Sequence, residues 1–214
     1  GYAREIREAL RRISTASLNL RANPDGGTLN LAVLPSFGTR WLVPRLPDFI
    51  ATYPGISVNL LTRSSLFDFR TETVDAAIHF GLPHWPGAEM VFLMHETVVP
   101  VCSPDFKTRH HLSHPADVLS APLLHMTTRP DAWEKWFRGQ RVEFDNLHGM
   151  LFDQFTTIAE AACVGVGAAL IPSFMIEEEM RTGKLVNAVS GSLESDEAYY
   201  LACMSDRAGY LPLE

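Results

Sequence analysis

The chain has no long apolar run, no excess of basic residues and no cysteine framework. Each absence removes a class of function. No stretch reaches the roughly 18 consecutive apolar residues of a membrane span. Lys and Arg number 18 against 25 Asp and Glu, a formal net charge of −7. That balance argues against a general nucleic-acid surface and a polybasic membrane-binding surface on this chain. Cys102, Cys163 and Cys203 are odd in number, scattered, and each set in an apolar run. They read as reduced core residues rather than a disulfide scaffold. With no signal-peptide pattern at the start, a reducing cytoplasm is the expected compartment. Catalytic and metal patterns are missing too. Ser36 stands outside a Gly-x-Ser-x-Gly elbow, which argues against a hydrolase. Gly165-Val-Gly167 lacks the third glycine of a dinucleotide fingerprint and precedes a strand, so it reads as a helix C-cap with close packing. His110-His111-Leu-Ser-His114 bunches imidazoles, but no Cys or carboxylate completes a ligand set, and a solvated loop is expected. No cofactor and no metal are expected.

What is present is ordinary globular material. Hydrophobic residues make up 46% of the 214 and charged residues 20%, which suits one domain or two small ones. Tyr2 to Asn19 places Ile6, Leu10, Ile13 and Ala16 at helical spacing, with Arg4, Arg7, Arg11 and Arg12 opposite. Arg21 to Gly27 then breaks it. This segment stands outside the repeating pattern and reads as the end of a connecting helix, with a helix packed on the domain as the plainer alternative.

From Leu29 the chain alternates. Strands are predicted at Leu29–Val33, Ser57–Thr62, Asp75–Phe80, Val91–Cys102, Pro122–Met126, Val142–Phe144, Gly149–Phe152, Ala168–Ile171, Lys184–Val189 and Tyr199–Met204. Helices are predicted at Thr39–Thr52 (interrupted near Pro44 and Pro47), Ser65–Thr73, Pro130–Arg138, Thr156–Val164 and Ser173–Arg181. Trp133, Trp136 and Phe137 form a core stripe at helical spacing. Alternation of this kind predicts an α/β fold with mainly parallel sheets. Ligands of open α/β sheets bind at the C-terminal ends of the strands. Those ends carry Pro35-Ser36-Phe37-Gly38-Thr39-Arg40, Thr62-Arg63-Ser64-Ser65, His79-Phe80-Gly81, Thr127-Thr128-Arg129 and Asp153-Gln154-Phe155. Each could be an N-cap or a solvated residue. Their recurrence at corresponding ends suits a polar, carboxylate-bearing small molecule. The run Phe152 to Pro172 supports this, since its helix start aims backbone N–H groups at an anion and it carries no nucleophile or acid–base pair.

The ordered set Gly27-Thr-Leu-Asn-Leu-Ala-Val, Pro35-Ser-Phe-Gly-Thr-Arg-Trp-Leu-Val-Pro, Tyr53-Pro-Gly-Ile-Ser-Val, Val74-Asp-Ala-Ala-Ile-His-Phe-Gly81, Pro100-Val-Cys-Ser-Pro104 and Gly165-Val-Gly-Ala-Ala-Leu-Ile-Pro172 resembles the effector-binding domain of LysR-type transcriptional regulators. The likeness is to the branch holding the glycine-cleavage activator and the AmpC β-lactamase regulator, and it covers Thr28 to Glu214. It implies a periplasmic-binding-protein-like (type 2) α/β fold. Residues 1–27 would end a linker helix, 28–97 with 201–214 would form lobe I, and 98–200 lobe II. The chain would cross near Glu96–Val99 and Ala198–Leu201. A winged helix-turn-helix is expected upstream and a last helix after the Tyr199 strand.

The resemblance further implies an interlobe cleft for a small-molecule effector, lined by Ser36, Phe37, Thr39, Asp68, His79, Phe80, Thr127, Gln154, Phe155 and Tyr199. Phe155 departs from the Ser or Thr of many relatives, so the effector does not carry over. The Ser36 hydroxyl is expected to face the surface. Implied partners are a second copy in a homodimer (a tetramer for the full-length protein) and DNA, reached only through the absent N-terminal domain. No membrane partner and no enzymatic activity are expected. The alternative function is a solute-binding protein of a transport system; an enzyme on a similar two-lobed scaffold ranks third.

Overall fold

The computed structural model describes residues 27–204, with Ile6, Arg7, Leu10 and Ser14 before them. Those four are helical, and the rest of the expected Tyr2–Asn19 helix and the expected last helix lie outside the described residues. The strands are β1 (Thr28–Val33), β2 (Ser57–Thr62), β3 (Ala76–Gly81), β4 (Glu89–Cys102), β5 (Leu123–Met126), β6 (Gly149–Phe152), β7 (Ala168–Pro172), β8 (Val186–Asn187) and β9 (Leu193–Cys203). The α-helices are α1 (Pro35–Phe37), α2 (Leu46–Thr52), α3 (Pro104–Arg109), α4 (Ala132–Gly139), α5 (Phe155–Cys163) and α6 (Glu177–Arg181). They fall into two compact units. Unit 1 holds residues up to 38, 42–94 and those from 199 on; unit 2 holds 39–41 and 95–198.

Unit 1 orders its strands β2-β1-β3-β9, with β1 parallel to both β2 and β3. A polar ladder fixes that register. Asn59 Nδ2 donates to Asn30 Oδ1 at 2.9 Å, and the Asn30 backbone and side-chain N–H groups donate to the buried Asp75 carboxylate at 2.8 and 3.0 Å. One apolar cluster joins Ala32, Phe69, Val74, Ala77, Trp85 and Ala202. Unit 2 orders its strands β4-β7-β5-β6, with β8 beside β4. There β5 is parallel to β6 and β7, and β4 is antiparallel to β7 and β8. Its core is larger. Trp133, Trp136 and Phe137 of α4 pack with Phe106, Leu112, Val118, Leu123 and Leu170, as the helical stripe predicts.

Several expected elements are corrected. The helix expected from Thr39 begins at Pro35, where proline supplies the fixed φ of a first turn. Pro44 cannot donate to the Arg40 carbonyl, and the chain adapts with a π turn over Gly38–Leu42 and a 3₁₀ turn over Val43–Arg45. Ser65–Thr73 is irregular, not helical. Trp85 Nε1 donates to the Phe67 carbonyl at 3.0 Å, and Asp68 caps its own turn by accepting from Arg70 N at 3.0 Å. Val142–Phe144 is no strand. Arg141 takes φ 58°, and Val142 N and Arg141 N return to the Phe137 and Arg138 carbonyls as a Schellman cap of α4. The strand expected at Lys184–Val189 shrinks to β8, and β9 starts six residues early. Helix α3, which periodicity missed, is started by Ser103, whose hydroxyl accepts from Phe106 N. Gly165 does end α5, at φ 77°, with its N–H on the Ala162 carbonyl and Val166 N–H on Ala161.

Candidate functional site

In unit 1 the candidate residues divide between the two sheet faces. Phe37 stacks on Tyr199 with ring centroids 5.0 Å apart, and Phe80 meets Tyr199 at 4.8 Å. Phe37 and Tyr199 are fully buried. The ring trio forms because β1 runs straight into α1 while β3 and β9 are neighbours. His79, one residue before Phe80, turns the other way by strand alternation. Its Nε2 lies 3.2 Å from the Leu82 carbonyl, and its ring meets Trp85 edge-on at 5.6 Å. Ser36 is buried, at 6% exposure, so the surface-facing hydroxyl expected of it is not found: the first helical turn carries it into the unit. Asp68 is exposed and paired with Arg70 at 2.8 Å, and the guanidinium holds its carboxyl below the usual range.

In unit 2 the site gathers where β5 and β6 end. Thr127 is exposed, and its N–H donates to the Phe152 carbonyl at 2.8 Å. Gln154 precedes α5 without capping it by its side chain, and no acidic residue stands in the first turn. Phe155 is buried at that helix start, with the Arg129 guanidinium 4.9 Å from its ring centroid. Arg129 also donates to both oxygens of Glu96, at 3.0 and 2.9 Å, and Glu96 is 1% exposed. Charge-assisted bidentate pairs of this kind hold a guanidinium in one plane. Sequence reading marked Arg129 as a strand-end cation but missed Glu96. The signal was there: a carboxylate set inside the mostly apolar run Val91–Cys102 needs a buried partner. Thr39 is exposed beside Arg40, whose guanidinium donates to the Met175 carbonyl at 3.0 Å and to Glu179 at 2.6 Å. Arg40 was expected among the strand-end groups with solvation as the plainer alternative, and its side chain is only 10% exposed.

A cavity of about 600 Å³ opens beside Arg129 and Glu96, floored by Leu124, Met126, Trp133 and Leu170. A smaller one, about 210 Å³, lies within unit 1 beside His79 and Trp85. Among the described residues no group of His, Cys, Asp and Glu is placed to hold a metal ion, and no helix is long and apolar enough to cross a membrane. In the His110–His114 segment, His110 packs on the Phe106 ring at 4.2 Å, and the backbone N–H groups of Ser113 and His114 donate to Asp117.

The chain is similar to known proteins. The chain is 34% identical over 209 residues to the glycine cleavage system transcriptional activator of Escherichia coli K12, covering 97% of this chain and 68% of that protein. It is 35% identical over 179 residues to the HTH-type transcriptional activator AmpR of Providencia stuartii, covering 84% of this chain and 60% of that one. The effector domain of AmpR from Pseudomonas aeruginosa superimposes with a TM-score of 0.77 at 29% identity, over 87% of this chain and 91% of that domain. The periplasmic-binding-protein-like α/β fold expected from the sequence is thus the fold observed. The LysR substrate binding domain model matches residues 22–210, nearly the whole of the chain, and the chain belongs to the LysR substrate-binding family.

Proposed function

We propose that this chain senses a small polar effector for a DNA-binding transcription regulator, and that the effector carries a carboxylate. The observation that carries this reading is the start of α5. The Gln154 side chain does not cap it, no acid stands in its first turn, and its first residue lies under a guanidinium held by a buried carboxylate. A helix N-terminus of this kind favours an anion through its N–H groups and dipole. The residues proposed to read the effector are Ser36, Phe37, Thr39, Asp68, His79, Phe80, Thr127, Gln154, Phe155 and Tyr199. That they act together in an interlobe cleft, between a lobe I of residues 28–97 and 201–214 and a lobe II of residues 98–200, rests on the family resemblance alone. DNA binding through an upstream helix-turn-helix, homodimer formation and a cytoplasmic location belong to the same proposal and rest on the relatives' identity as regulators.

The reading is tested by thermal-shift screening of amino acids, aromatic carboxylates and cell-wall peptides, followed by calorimetric titration of any hit. Losing one hydrogen bond to a charged group costs roughly 1.5–3 kcal/mol, about a ten- to hundredfold fall in affinity. Ser36→Ala and Tyr199→Phe are the variants of choice, because Tyr199→Ala would empty a buried site and unfold unit 1 before testing anything. Unchanged affinity in both variants would remove the ligand from this set of residues.

A further inference from the structure

We infer that unit 2 holds a site for an organic cation with an apolar body, in the cavity of about 600 Å³ beside α4. The space follows from a short helix on a wide sheet. α4 has eight residues, and its Trp133 Nε1 donates to the Leu124 carbonyl at 2.9 Å, which seats the helix on β5. A helix about 10 Å across covers about two strands set about 4.8 Å apart. From β5 the strand order continues to β7, β4 and β9, so α4 leaves the sheet beyond β5 partly unroofed. The floor of the cavity is Leu124, Met126 and Trp133 together with Leu170 of β7 and Val98 of β4, all of them buried. α4 lines it with Ala132, Lys135 and Arg138, and β9 lines it with Leu193 to Glu197. Every lining residue lies within unit 2.

The charge of the walls decides the ligand. Each lining cation already has a carboxylate. Arg129 donates to both oxygens of Glu96, Lys135 pairs with Asp131 at 2.8 Å, and Arg138 pairs with Glu134 at 3.1 Å. An anion entering the cavity would have to break one of these pairs. Glu194, Asp196 and Glu197 bring three further carboxylates, and among the described residues none of them is joined in an ion pair. Their field reaches Lys135. Its pKa is raised, chiefly by the hydrogen bond to Asp131, and Asp196 and Glu197 add to the effect. An acidic run on open surface would be a solvated face. This one borders a cavity whose floor is buried and apolar. Such a floor takes a hydrocarbon body, and the surplus of carboxylates in the wall draws a positive group and repels a negative one. None of the residues proposed to read the carboxylate effector lines this cavity, so either reading can fail without the other. Arg129 and Glu96, which also serve the start of α5, are therefore left intact in the test.

The probe is 2-phenylethylamine, with 3-phenylpropionate as its anionic counterpart and 2-phenylethanol as its neutral one. The chain is labelled at leucine methyls and titrated by NMR. Leu170 and Leu193 report the cavity, and Leu31 and Leu60 in unit 1 report binding elsewhere. The expected result is saturable movement of the Leu170 and Leu193 methyls with the amine, and binding about tenfold or more weaker for both counterparts. Neutralising the wall with Glu194→Gln, Asp196→Asn and Glu197→Gln together weakens amine binding about tenfold or more, through the loss of charged hydrogen bonds. Ser195→Phe sets a ring in the same wall and abolishes binding. A thermal melt verifies folding. Should Ser195→Phe fail to fold, the triple variant decides the matter, because its three side chains are exposed. Unmoved Leu170 and Leu193 methyls at millimolar amine, equal affinity for 3-phenylpropionate or 2-phenylethanol, or full affinity in the triple variant would each overturn the assignment.

Discussion

Units 1 and 2 repeat one strand plan and cover it with different materials. In each, the first parallel strand is central, the second lies to one side of it and the third to the other: β2-β1-β3 in unit 1 and β6-β5-β7 in unit 2. In unit 2 both crossovers contain a helix: α4 between β5 and β6, which buries two tryptophans and a phenylalanine at 0–1% exposure, and α5 between β6 and β7. The crossover from β2 to β3 in unit 1 has no helix; Phe67 and Phe69, packed on Trp85, cover the sheet there. The strand plan therefore does not dictate the cover. A helix whose apolar residues share one face closes a core by itself, whereas rings spaced two apart, as Phe67 and Phe69 are, must be held by a distant partner such as Trp85.

That contrast can be broken most sharply at Trp136. Trp136→Ala removes a fully buried ring from the unit 2 core and is expected to lose about 3–5 kcal/mol in a chemical denaturation curve. Phe67→Ala, at the half-buried cover of unit 1, should lose clearly less, and an equal loss would mean the two covers carry the same load.

Next in size is the buried ion pair. Arg129→Met removes the guanidinium paired with the Glu96 carboxylate, which is 1% exposed, and should also lose about 3–5 kcal/mol. Adding Glu96→Gln should recover much of it, measured by the same curves; no recovery would show that Arg129 matters through Phe155 packing rather than charge.

Gly167→Ala should come third, at about 1–3 kcal/mol, because a Cβ there would sit 2.7 Å from Leu124 Cδ2 and 2.8 Å from the Pro122 carbonyl.

A pH effect follows from Cys102. Burial pushes its thiol up to about 11, against about 8.5 when unfolded. The folded state thus keeps the proton longer. This contribution is complete below pH 8.5 and is lost as pH rises towards 11. Cys102→Ala should flatten the decline of melting temperature across that window. The smallest effect is expected at the exposed Arg181–Glu178 pair, where Arg181→Ala should leave the melting temperature unmoved.

Much of the strand plan was legible because its strands are short, mostly apolar runs bounded by turn residues. Leu29 to Val33, Gly149 to Phe152 and Ala168 to Ile171 read as strands and form strands. The helix start at Phe155 was legible within a residue, since the alanine-rich run after it has few alternatives. The end of that helix was legible too, because Gly165 supplies the positive φ a Schellman cap requires. The core stripe of α4 followed from spacing alone. Val142 to Phe144 misled because β-branched and aromatic residues also satisfy a helix cap that packs on Phe137.

The sequence by itself determined the α/β class, the family, the central strands and the strand ends where polar residues gather, because periodicity and turn chemistry are local. Only the tertiary structure decided that Ser36 is buried, that Phe37 and Phe80 both meet Tyr199, that Glu96 is the partner of Arg129, and that rings rather than a helix cover β1. Each of those depends on a contact between residues far apart in the chain. A local pattern states which groups need a partner, and only the fold determines which partner is in reach.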